Sequence, residues 1–114
     1  MTETELKVFA NVKIRLQLSD NINKDTLLEI LVKEAIDNIL LYIGEDILPI
    51  KLEGVCENLT CAVYRKVGAE GMKTETVDSV TYTYTENALI SFIPLLDKYI
   101  SNRDNISSRK ARFY

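Results

Sequence analysis

The chain has two thiols, Cys56 and Cys61, and no histidine to activate either one. Their spacing places them on different sides of a helix rather than at a shared site. Zinc asks for about four ligands, and no further cysteine or histidine is present to supply them. The pair is therefore expected to be buried, reduced and structural, with no metal or other cofactor. Histidine is also the commonest general acid–base residue and the commonest metal ligand, and both are missing with it. The 17 carboxylates are scattered as on a solvated surface. Gly68 and Gly71 lack the surroundings of a dinucleotide fingerprint, and there is no phosphate loop or nucleophile elbow. The inventory argues against an enzyme.

What remains is a chain of 114 residues, 46% hydrophobic and 27% charged, which is enough for one domain with a modest core. No stretch is long and apolar enough to span a bilayer. The first residues, Met1-Thr2-Glu3-Thr4-Glu5, are acidic where a secretory signal is basic, so the chain is expected to start in a cytoplasm. The net charge of −3 is uneven: residues 1–102 carry −6 and residues 103–114 carry +3. An acidic body binds DNA backbone poorly, because affinity there comes from cations that release counterions. The basic end suits nucleic acid or an acidic groove on a protein partner.

Periodicity supplies the elements. From Lys24 to Ile43, Leu28, Leu31, Val32, Ala35, Ile36, Ile39, Leu40 and Ile43 recur at steps of three and four, with Asn23 as N-cap and Gly44 as terminator. Pro49 opens a second helix, Ile50 to Val67, whose interior Gly54 costs about 1 kcal/mol against alanine. Either packing compensates there or another backbone crosses closely. Alternation from Ser79 to Thr85 reads as a strand, which Lys73 to Val77 could join as a short hairpin. A helical pattern returns from Ala88 to Ile100, interrupted by Pro94, and a start near Ile93 accommodates that proline in the first turn. After Ile100 the segment is polar and expected to be mobile, dividing the chain into a helical domain, 1–101, and a flexible basic tail, 102–114.

The N-terminal segment is contradictory. Val8, Ala10, Val12, Ile14, Leu16 and Leu18 alternate with polar residues, which is the period of a strand. A helix requires Leu6, Phe9, Ala10 and Leu16 on one face and leaves Ile14 unexplained.

The segment Tyr64-Arg65-Lys66-Val67-Gly68-Ala69-Glu70-Gly71-Met72-Lys73-Thr74-Glu75 resembles the Gly-x-Glu-Gly-Leu-Lys-Ser-Glu region of the head–tail connector (adaptor) proteins of tailed bacteriophages. Asn11-Val12-Lys13-Ile14-Arg15-Leu16, the run from Ala35 to Tyr42, and Leu96-Asp97-Lys98-Tyr99 are similar to further stretches of those proteins in the same order. The resemblance spans about residues 5–100. It implies a mainly α protein, a bundle of about four helices with a short β-hairpin or extended strand between the third and fourth, and a helix over residues 4–17. It also implies a structural subunit that forms a ring of about a dozen copies under the capsid portal. Such a ring joins the DNA-filled head to a stopper or tail-completion protein, and DNA passes through without specific binding. The location implied is the head–tail interface of the virion, after assembly in a bacterial cytoplasm, with no membrane involved.

By the same resemblance the C-terminal part grips the portal. That role falls on Arg103, Ile106, Arg109, Lys110, Arg112, Phe113 and Tyr114, cations for steering and apolar anchors. Lys73, Glu75, Tyr82 and Tyr84 are the candidates for contacts between subunits. Each has a plainer reading: the tyrosines cover the helical core, Lys73 and Glu75 form a solvated pair, and the tail is ordinary disorder. The competing function is a small helical regulatory module whose basic tail contacts nucleic acid.

Overall fold

A computed structural model of the chain describes residues 2–18, 25–69 and 84–112, with side chains over 2–18, 25–67 and 84–105. Four helices carry the fold: α1 (Glu3–Arg15), α2 (Asp25–Ile43), α3 (Glu53–Ala69) and α4 (Ile93–Arg112). Single 3₁₀ turns lead into the last two, Ile50–Leu52 before α3 and Ile90–Phe92 before α4.

The ends of the helices follow from local chemistry. Thr2 caps α1 through a capping box: its hydroxyl accepts from the Glu5 amide, and the Glu5 carboxylate accepts from the Thr2 amide. At the other end Gln17 turns left-handed at φ 58°, and the Leu18 amide reaches back to the Lys13 carbonyl. Gly44 ends α2 in the same conformation at φ 73°, a position where its missing Cβ matters. Pro94 sits in the first turn of α4, directly after the 3₁₀ turn Ile90–Phe92.

The core is one cluster. From α2 it takes Leu28, Leu31, Val32, Ala35, Ile36, Ile39 and Ile43, from α3 Cys56, Leu59, Cys61, Val63 and Val67, and from α1 Val8 and Val12. Leu96 of α4 completes it. Three buried polar side chains each have a partner: Thr60 donates to the Cys56 carbonyl at 2.8 Å, Asn38 to the Glu34 carbonyl at 2.8 Å, and Thr85 to the Glu34 carboxylate at 3.3 Å. Their pairing removes the cost of burying them.

Several expectations change. The N-terminal segment is helical, and the alternation that imitates a strand has a helical cause. Val8 and Val12, one turn apart, are fully buried, while Leu6, Ala10 and Ile14 line the opposite side and are exposed. A helix with apolar residues on two faces alternates like a strand. Leu6 and Ala10 thus lie outside the core. The strand expected to reach Thr85 is corrected at its end: residues 84–89 are helical, because burying Thr85 against Glu34 outweighs its β propensity. No strand occurs among the described residues, so the hairpin is not supported; Lys73 to Val77 and residues 79–83 lie outside them. The boundary drawn after residue 101 falls inside α4, which continues as helix to Arg112. Close backbone approach at Gly54 is also absent: a Cβ there meets nothing within 4 Å among the described residues.

Candidate functional site

Where α2 ends and α4 passes, a polar cluster ties the two helices together. Arg103 Nη1 donates to the Glu45 carboxylate at 2.8 Å and to the Ile43 carbonyl at 2.9 Å. The second bond satisfies a carbonyl left open by the end of α2. Tyr99, one turn earlier on α4, donates its hydroxyl to the same Glu45 oxygen at 2.7 Å, and the Arg103 guanidinium stands 5.8 Å from the Tyr99 ring centre. A second tyrosine–carboxylate bond, Tyr42 to Asp97 at 2.5 Å, fixes the same pair of helices on the outside.

These contacts set the ionisation of the group. Hydrogen bonds from Tyr99 and then Arg103 hold the Glu45 carboxyl below its ordinary range. The same carboxylate raises the Tyr99 hydroxyl, as Asp97 raises that of Tyr42. Each of these shifts moves its group away from neutrality, and the cluster acts as a clasp between the two helices. The thiols behave as the sequence suggests: both are free and buried, and desolvation pushes Cys56 up to about 12 and Cys61 upward.

Beside the clasp runs a groove of about 510 Å³ between the turn Ile50–Leu52, α3 and α4. Leu52, Val55, Leu95 and Tyr99 contribute to its walls, Ile50 stands at its lip 81% exposed, and Lys51 and Lys98 bring positive charge. Elsewhere on the surface Leu41, Ile47 and Ile90 are each more than 60% exposed.

On the other flank α1 is held by ion pairs. Lys7 pairs with Glu53 at 3.0 Å and Lys13 with Asp25 at 2.8 Å, and Asn11 donates to Glu57 at 3.0 Å.

Of the residues singled out from sequence, Arg103 is placed in the clasp rather than projecting from the body. Its neighbours Ile106, Arg109, Lys110 and Arg112 lie on the last turns of α4, with backbone alone described, and Phe113 and Tyr114 lie outside the described residues. Tyr84 is half-buried on the core with the Lys66 ammonium 5.5 Å from its ring centre, while Lys73, Glu75 and Tyr82 lie outside the described residues. The groove and the outer stripe of α1 escaped sequence reasoning. The signal for the stripe was present, in Ile14, the one residue a single-faced helix could not explain.

Among the described residues there is no cluster of metal-ligating side chains, and no helix is long and apolar enough to cross a membrane. The fold and its surfaces define a small four-helix protein with an apolar groove on one flank and an apolar helix face on another. The chain belongs to the Phage gp6-like head-tail connector protein family, whose model matches residues 7–99. Membership gives it a phage connector role and, with that role, interaction with other phage head and tail proteins. No curated protein and no solved structure matches it.

Proposed function

We propose that the protein is a structural subunit, not an enzyme, which assembles as a ring under the capsid portal, joins the filled head to the stopper or tail, and lines the DNA exit channel. The family match over residues 7–99 carries this reading. The exposed apolar side chains of the groove and of α1 support it, since an assembly subunit keeps such surface for its neighbours. So does the charge: the −6 of residues 1–102 repels phosphate, so that duplex slides past instead of sticking. In this reading the last turns of α4, with Arg109, Lys110 and Arg112, grip the portal.

The test is binding of purified protein to DNA-filled, tail-less capsids, read by imaging the portal vertex. A ring of density at that one vertex is the expected result. Absence of vertex binding together with salt-sensitive affinity for free duplex would instead identify a nucleic-acid-binding module. A chain ending at Asn105 keeps Arg103 and its clasp but lacks the end of α4. It is expected to lose the vertex, and unchanged docking would remove the portal-gripping role from that segment.

A further inference from the structure

Among the described residues two apolar features of complementary form have nothing packed on them. The first is a ridge. Leu6, Ala10 and Ile14 follow one another at single-turn spacing along the outside of α1; Leu6 is 51% and Ile14 66% exposed, and Glu3 is exposed at the same end. The second is the groove between the Ile50–Leu52 turn and α4. Its volume is about 510 Å³, and it is open to solvent along one side. Helix-in-groove recognition uses anchors spaced as those of the ridge are.

Charge matches as well. The exposed Glu3 carboxylate stands at the start of the ridge on the same face, and the groove is flanked by Lys51 and Lys98, both exposed and without an ion-pair partner among the described residues. The two features cannot meet within one chain. Glu53 and Glu57 of α3 face α1, whereas Val55 lines the groove; at about 100° per residue, Val55 is about 160–200° around α3 from those carboxylates. Ridge and groove therefore lie on opposite sides of α3, the arrangement a head-to-tail contact requires.

We propose that α1 of one copy docks through Leu6, Ala10 and Ile14 into the Ile50–α4 groove of the next copy. The contact is heterologous, so repeating it builds a ring if the rotation closes and a filament if it does not. Pairing of the two surfaces stands on the geometry alone, and closure into a ring rests on the connector reading. The clasp then does more than join two helices, since holding Tyr99 against Glu45 shapes the wall of the groove that receives the neighbour.

The test uses the full-length chain with Ala10→Cys and Leu95→Cys together, oxidised mildly both at high concentration in solution and on tail-less capsids, and run on a non-reducing gel. Both positions are exposed, and the native thiols are buried, so neither folding nor the background interferes. The expected result is a ladder of multimers from the double variant and none from either single variant. Adding Ile14→Asp lowers the cross-linked yield at least about tenfold, because a carboxylate enters an apolar groove. No ladder in either setting overturns the pairing, as does dimerisation of the Ala10→Cys variant alone or a cross-link only to a capsid protein. Vertex binding without a ladder leaves the connector reading standing. A ladder without vertex binding leaves the pairing and removes the connector reading.

Discussion

Replacing Gly54 by alanine should stabilise this protein, although an interior helix glycine ordinarily suggests a need for space. Gly54 follows the 3₁₀ turn Ile50–Leu52 and is the second residue of α3, so it sits within one continuous helical run. It is exposed, its φ is not left-handed, and a Cβ built there meets nothing within 4 Å among the described residues. No packing cost therefore opposes the propensity gain, which is about 0.8–1 kcal/mol in a helix interior and comes largely from restricting the unfolded chain. Unfolding entropy of about 2.1 cal/mol/K per residue gives about 0.24 kcal/mol/K for 114 residues. The expected rise in Tm is therefore about 3–4 °C. Thermal unfolding followed by far-ultraviolet circular dichroism, wild type beside variant at neutral pH, reads it directly. An unchanged or lower Tm would refute the reasoning, since it would require a contact at that face in the isolated chain. A raised Tm with lost assembly would instead place a neighbouring subunit against Gly54.

Leu28 is fully buried at the centre of the core, and Leu28→Ala should lower stability by about 2–5 kcal/mol in urea unfolding. A loss below about 1 kcal/mol would show that the packing around α2 is looser than this burial requires. Glu45→Gln should lower the Tm at neutral pH, and the deficit should shrink as pH falls. The Glu45 carboxyl is held below its unfolded value, so its stabilisation is complete above the ordinary glutamate range near 4.5 and is lost as pH drops through the lower folded value. A deficit that stays constant down to about pH 2 would exclude the ionised carboxylate as the cause. Cys56, with its thiol pushed up to about 12, and Cys61 should react with a thiol reagent at about pH 8 only after denaturant is added. Prompt labelling of the folded protein would contradict their burial.

The elements most legible in the sequence were those whose patterns have a single cause. In α2 one apolar stripe faces one core, and the residues read from it, Leu28 to Ile43, include every buried apolar side chain of the helix, while the buried Asn38 was not among them. Gly44 and Pro94 acted where their backbone constraints demand it, the one leaving a helix and the other entering one. The family was legible too, in short segments whose order along the chain matches that of the connector proteins.

Patterns with two causes misled. Alternation in α1 sums an inward face, Val8 and Val12, and an outward one, Leu6, Ala10 and Ile14, and no one-dimensional period separates the two. The β-branched and aromatic residues before Glu86 suggested a strand through Thr85, but burial of Thr85 against Glu34 made that end helical. Arg103 looked like the first cation of a tail because its partners, Glu45 and the Ile43 carbonyl, lie about 60 residues away along the chain. Helical periodicity and turn chemistry are local, so spacing settled most of the helices and the buried thiols, and the resemblance of short segments supplied the family and the first helix. Which apolar face turned inward, where α4 was clasped and that a groove opened opposite the α1 ridge were decided only when distant segments met, because burial is a property of the packed chain.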